Sequence, residues 1–149
     1  MFKISTGLQE VLLQAIAAEF NGNMLMHIYG GAVPATAQDS IGSAIPLRVV
    51  SVNGTGAGMS FEAATSNGML VKSASEVWEG ENIATGTATF YRIQTSADTG
   101  VASTTLPRLQ GSVDLLYGDL VLGSTALVAG VTDPPIGIFI VGMPLEPAQ

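Results

Sequence analysis

The sequence predicts an all-β protein, a single antiparallel β-sandwich preceded by one short N-terminal amphipathic helix. Three observations lead there. Short strand-like runs are broken by turn signals roughly every 8–12 residues. Eighteen glycines and seven prolines supply those turns. Helical periodicity occurs once, near the N-terminus, so the alternation of strands and helices that builds a parallel α/β sheet is missing. A length of 149 residues suits one domain. Residues 6–20 form its helix, 24–143 its sandwich and 144–149 a C-terminal tail.

The helix opens at Thr6-Gly7-Leu8-Gln9, which has the form of a capping box. Leu8, Leu12, Ala15, Ile16 and Phe20 then recur at helical spacing and define one apolar stripe. Asn21-Gly22-Asn23 stops the helix with residues that tolerate left-handed dihedrals. Met24 to Tyr29 reads as a strand with Met24, Met26 and Ile28 on one face and Leu25, His27 and Tyr29 on the other. Gly30 to Gly42 is a polar, proline-containing loop. Leu47 to Val52 is a β-branched strand ending at the turn pair Asn53-Gly54. Met59 to Ala63 and Met69 to Lys72 flank Asn67-Gly68 as a hairpin, and Glu79-Gly80-Glu81-Asn82 reads as a further turn.

Thr85 to Thr95 is the longest strand. Thr87, Thr89, Tyr91 and Ile93 alternate there with Ala88, Phe90, Arg92 and Gln94. Asp98-Thr99-Gly100 turns the chain, and strands follow over Arg108 to Leu116, Gly118 to Leu122 and Thr125 to Ala129. Ile136 to Met143 is almost continuously apolar, the pattern of a strand buried on both faces.

Composition narrows the function. Only 11% of residues are charged, there is no cysteine and there is one histidine, against about 25% charged residues in an ordinary soluble domain. General acid–base and covalent catalysis need titratable or nucleophilic groups, so the chain reads as a protein that binds or builds, not an enzyme. The net charge of −7 is carried by 12 acids against five scattered bases, Lys3, Arg48, Lys72, Arg92 and Arg108. No basic patch is available to neutralise phosphates, which argues against direct nucleic-acid binding. No segment approaches the ~20 unbroken apolar residues of a membrane span. Leu8 to Phe20 is interrupted by Gln9, Glu10, Gln14 and Glu19, and the same residues disqualify it as a secretory signal. The missing cysteines fit synthesis in a reducing cytosol.

The candidate motifs each have a plain structural explanation. Asn53 to Gly58 is glycine-rich, but a strand follows it where a phosphate loop would feed a helix. Asn53-Gly54-Thr55 is a glycosylation acceptor only in a secreted chain. His27 lies mid-strand, with no Gly-x-Ser-x-Gly elbow and no metal-ligand spacing around it. Glu76, Glu79 and Glu81 offer hard oxygen ligands without the EF-hand spacing, and read as a solvated turn around Trp78. No catalytic, cofactor or metal residue is assigned. Trp78 either plugs the core or anchors an interface. Phe2 and Ile4 before the helix, and Pro144 and Leu145 after the last strand, form short apolar arms suited to docking on a neighbouring subunit.

Several segments together resemble small β-rich virion proteins of tailed bacteriophages and prophages. They are Ile4-Ser5-Thr6-Gly7-Leu8, Ile28-Tyr29-Gly30-Gly31, Glu76-Val77-Trp78, Ala84-Thr85-Gly86-Thr87-Ala88-Thr89-Phe90-Tyr91-Arg92, Asp98-Thr99-Gly100 and Arg108-Leu109-Gln110-Gly111-Ser112-Val113. The resemblance implies a capsid cement (decoration) protein with a jelly-roll-like fold. Such a protein is made in the host cytoplasm, sits on the capsid surface as a dimer or trimer, and stabilises the shell of major capsid protein. A structural protein of the tail or head–tail connection and a carbohydrate-binding β-sandwich using Trp78 are the alternatives.

Overall fold

The structure is a computed structural model that describes residues 4–63 and 67–142. Phe2, Pro144 and Leu145 lie outside the described residues. Helix α1 (Thr6–Phe20) is followed by strands β1 (Met24–Gly30), β2 (Ile45–Val52), β3 (Met69–Val71), β4 (Trp78–Glu79), β5 (Gly86–Thr95), β6 (Arg108–Asp114), β7 (Leu120–Val121), β8 (Ala126–Leu127) and β9 (Ile140–Gly142). The main sheet has the order β4-β2-β1-β5-β6-β7, with β8 pairing the start of β5, and β3 and β9 form a separate ribbon. β6 and β7 are parallel while the other pairs are antiparallel. The described residues are therefore mostly sheet with one helix, as expected, but the main sheet is curled and mixed instead of being one half of a plain antiparallel sandwich.

Register explains the layering. Met26 lies opposite both Val50 and Ile93, and Ile93 lies opposite Leu109; residues directly across a ladder share a face. This face meets α1, the β3–β9 ribbon, Met59, Phe61, Trp78 and Phe139 in one apolar core. His27, Arg92 and Gln110 fall on the opposite face, beside Tyr29 and Phe90. The alternation read for residues 24–29 is the one the sheet uses, and that read for β5 holds over Phe90 to Gln94, where the strand is buried on both sides. Before the register shift between Gly30–Ala88 and Tyr29–Phe90 it fails, and Ala88 joins the main core with Tyr91 and Ile93.

Four details depart from the sequence reading. The helix cap is Ser5, whose Oγ accepts the Leu8 N–H at 3.2 Å, one residue before the expected box. The helix buries Gln9, Leu13, Ala17 and Phe20, leaving Leu8, Leu12 and Ala15 of the expected stripe exposed. Apolar residues nearly encircle this helix, so spacing alone could not choose the inward face. Glu79 to Asn82 is extended rather than turned: β4 pairs with Ser51 and Val52 of β2, and Asn82 bridges Arg48. Finally, Ile136 to Gly142 is covered on one side only. Phe139 is buried, while Ile138 is 77% exposed, because the β3 ribbon strand offers a partner for Ile140 to Gly142 alone.

The Asn-Gly pairs behave as expected. Asn53 and Gly54 (φ 53° and 65°) and Asn67 and Gly68 (φ 52° and 71°) adopt the left-handed values that favour these residues. The second pair joins arms that meet through a Phe61–Lys72 bridge. Gly80 is demanded by close approach, since a Cβ there would collide with the Val49 carbonyl oxygen. Gly80→Ala is expected to cost about 1–3 kcal/mol through forced displacement of β2; an unchanged midpoint in urea unfolding would contradict that contact.

Candidate functional site

The polar face of the sheet gathers the groups with chemical potential, His27, Arg92, Gln94, Arg108 and Gln110. Arg92 is fully buried. Its Nε and Nη2 donate to Gln110 Oε1 at 3.2 and 2.6 Å, and its Nη1 donates to the Asp39 carbonyl at 3.0 Å. Gln110 Nε2 donates to the Pro34 carbonyl at 2.9 Å. Arg108 grips Asp98 through Nε and Nη2 at 2.5 and 2.6 Å, and also reaches the Val101 and Ala37 carbonyls. Asp98 in turn accepts the Gly100 N–H, and its carbonyl receives Gln94 Nε2. Apart from the Arg92–Gln110 pair within the sheet and the Asp98–Gly100 bond within its loop, these bonds tie the sheet to the segments 31–44 and 96–107. The cluster is a clamp that converts two loops into a covering layer.

Electrostatics agree with a structural role. Burial opposes ionisation of Asp98, but the hydrogen bonds from Arg108 and Gly100 and the nearby guanidinium charges outweigh it and hold the carboxyl below its usual range. Burial lowers the pKa of His27, partly offset by Asp98, and its ring lies against Tyr29 with centroids 6.1 Å apart. Among the described residues His27 has no hydroxyl or carboxylate hydrogen-bonded to it, and no cluster of three or more His, Asp or Glu side chains is placed to hold a metal.

The residues singled out in the sequence fall in separate places. Trp78 is fully buried and touches Phe61 and Phe139. It is a core plug, and in this fold it can neither anchor an interface nor stack on a sugar. Glu76, expected in a solvated turn, accepts Trp78 Nε1 and the Ser60 N–H, each at 2.8 Å. Ile4 is half-buried just before the helix cap. The glycine-rich stretch folds back through a Val52–Ala57 bridge, and Met59 then pairs with Met24, so no helix N-terminus faces it.

What sequence reasoning missed is a pair of apolar features beside one another. The first is the loop between β6 and β7. Leu115, Leu116 and Tyr117 protrude there, Leu116 71% and Tyr117 91% exposed. The loop is stapled at both ends. Asp114 Oδ1 accepts the N–H groups of Leu115 and Leu116, and Asp119 Oδ2 accepts the N–H and hydroxyl of Ser112 at 2.8 and 2.9 Å. The Ser112 bonds hold the Asp119 pKa low. The available signal was an apolar triplet framed by Asp114 and Gly118-Asp119, hidden because Leu115 and Leu116 extend a strand-like run.

The second feature is a groove of about 890 Å³ between Val121–Leu127 and Asp133–Ile140. Its charged lining residues are all engaged within the chain. Arg48 donates to the Gly80, Asp133 and Pro134 carbonyls, Asp133 accepts Asn82 Nδ2 at 2.7 Å, and Asp119 is held by Ser112. Small-molecule sites converge a few polar groups on an apolar pocket. Here those groups hold the walls together, and the groove presents chiefly aliphatic surface. Comparison with known proteins found no matching family model, curated protein or solved structure.

The clamp makes a two-stage acid response. His27 favours its neutral form in the fold, so its contribution is complete above 6.5 and declines as pH falls from 6.5 through its lower folded value. Asp98, depressed below 3.8, contributes fully above 3.8 and loses that contribution as pH falls through its folded value. Asp98→Asn is expected to lower stability by about 3–5 kcal/mol at neutral pH by leaving Arg108 buried without its partner, and to shrink the lower stage to the part that Asp119 carries. A variant whose acid stage is undiminished in a pH series of thermal unfolding would contradict the assignment.

Proposed function

We propose that this protein is a virion structural component of a tailed bacteriophage, a capsid cement (decoration) protein that binds the major capsid shell as a homo-oligomer. The observation that carries this reading is the rigidly stapled tip Leu115-Leu116-Tyr117. A tightly held, uncharged apolar protrusion has a cost in water that is recovered when a partner covers it, and large aromatic and aliphatic side chains of this kind supply interface anchors. The resemblance of the segments around residues 4–8, 84–92 and 108–113 to phage virion proteins supports the same reading. In it, the curled main sheet and the β3–β9 ribbon facing it across the core form the two layers of a jelly-roll-like sandwich.

The inward commitment of Arg48, Arg92 and Arg108 favours attachment by shape over attachment by charge, because it leaves those guanidinium groups unavailable to an outside anion. A shell presents the same surface many times, so an oligomer gains from simultaneous contacts even when each is modest. The protein is made in the host cytoplasm and resides on the capsid exterior.

The test is re-addition of the purified protein to shells of the same phage that have been stripped of it. The native chain is expected to bind and to raise the shell's melting temperature. Leu116→Ser and Tyr117→Ser, which remove exposed side chains and should leave unfolding unchanged, are expected to weaken binding about thirtyfold, the effect of losing an anchor worth about 2 kcal/mol. Binding unaffected by either change would overturn the role of the tip. Failure of the native chain to bind the shell, with attachment instead to tails or connectors, would overturn the capsid assignment.

A further inference from the structure

We propose that α1 is a self-association surface, on which two copies of the chain pack helix against helix, antiparallel, about a two-fold axis passing between Val11 and Leu12. This names the surface behind the oligomer suggested above, but self-association is read on the isolated protein and stands or falls separately from capsid binding.

The starting point is a helix with two apolar faces. One, through Leu13, Ala17 and Phe20, is buried in the core. Leu8, Val11, Leu12 and Ala15 lie on the other at positions i, i+3, i+4 and i+7 and are all exposed. That spacing is one continuous strip on a helix, and the next position on it, i+11, is Glu19. The apolar strip from Leu8 to Ala15 runs about 10 Å along the axis, and about 16 Å with Glu19 included, at 1.5 Å per residue. A helix apolar on both sides is the pattern of an element covered on both sides, and the described residues cover one.

Two properties of the strip select a second copy in the antiparallel sense. The first is size. Placing Val11 opposite the partner's Leu12 sets Leu8 opposite the partner's Ala15, so bulk at one end fills the space left by a small residue at the other. A parallel pair would instead set Leu8 against Leu8 and Ala15 against Ala15.

The second is charge. The antiparallel register carries Glu19 to the partner's helix N-terminus. No acidic residue occupies the first turn there, and the N–H groups of Thr6 and Gly7 have no hydrogen-bond partner among the described residues. Gly7 adds no side chain to obstruct the approach. A carboxylate near a helix N-terminus is favourable through the helix dipole and the free amides. A parallel pair would bring two Glu19 carboxylates together, which is repulsive. The resulting contact is isologous and closes at two copies.

A three-turn helix pair is smaller than the roughly 1,200–2,000 Å² of a standard interface, so the dimer is expected to be concentration-dependent in free solution. On a surface that holds copies side by side the same contact is reinforced by effective concentration.

The chain contains no cysteine, so single-cysteine variants report proximity cleanly. With a short bis-maleimide linker, Leu12→Cys is expected to cross-link to itself well above the exposed control Val101→Cys. Leu8→Cys mixed with Ala15→Cys is expected to form a mixed dimer, while Ala15→Cys alone is not. Sedimentation equilibrium should show a monomer–dimer equilibrium that Leu12→Gln abolishes and that Glu19→Gln weakens about three- to thirtyfold, because the two-fold repeats the helix-terminus charge interaction twice per dimer. Thermal unfolding of each variant checks that the fold is intact. Strong self-cross-linking of Ala15→Cys would overturn the antiparallel register. Cross-linking no better than the control, a mass unmoved by Leu12→Gln, or a trimeric mass would overturn the proposal.

Discussion

The structure depends on one constraint: the central strand β5 is buried on both faces, yet one of those faces carries Arg92 and Gln94. A buried donor left unsatisfied costs about 1–3 kcal/mol, and more when charged. The fold meets this demand with the Asp39 and Asp98 carbonyls and Gln110 Oε1, while Gln110 and Arg108 beside them on β6 donate to the Pro34, Ala37 and Val101 carbonyls. Two loops that contribute little to the apolar core are thereby fixed on the sheet. Arginine suits the task better than lysine because its planar fork reaches several acceptors at once in fixed directions. The clamp takes the place of a second apolar layer, with only Tyr29, Phe90, Ala44 and Ile41 gathered into a small cluster beside it.

That arrangement also shapes the surface. Arg92 and Arg108 close over one face, and Arg48 braces the far end of the core by holding the segment that contains Asp133 and Pro134. Lys72 donates to the Ser73 and Glu76 carbonyls and sits over the Trp78 ring. The cations of a charge-poor chain are therefore largely committed to its own architecture. What faces outward is mostly uncharged polar surface with scattered carboxylates such as Glu19 and Glu81, interrupted by a stapled apolar tip, an aliphatic groove and a helical strip. Each of these is suited to contact, and none brings together reactive groups.

Much of this was legible in the residues and some of it was not. The alternation over Met24 to Tyr29 and Phe90 to Gln94 gave both strands and their faces, because period two has a single physical meaning, whereas the register shift before Phe90 sends Ala88 to the face opposite the one read for it. Asn53-Gly54 and Asn67-Gly68 gave their turns for the equally local reason that left-handed dihedrals favour those residues. The helix was legible in extent but not in orientation, since Leu8, Val11, Leu12, Leu13 and Ile16 leave no polar side wide enough to define an outside. Glu79 to Asn82 looked like a turn from its composition, whereas Gly80 is there to let β2 approach. The apolar run from Ile136 was read as doubly buried, but its exposed members line the groove. The clamp was invisible because Arg92 meets Asp39, and Arg108 meets Ala37, only after long stretches of intervening chain; the tip was masked by the strand-like residues leading into it.

The proposed capsid role requires the protein to be present wherever the shell offers its contact. Counting its copies per particle by quantitative mass spectrometry addresses this most directly. Copies on the order of hundreds, matching a lattice of repeated sites, are the expected result. A dozen or fewer per particle, or none in purified virions, would contradict it.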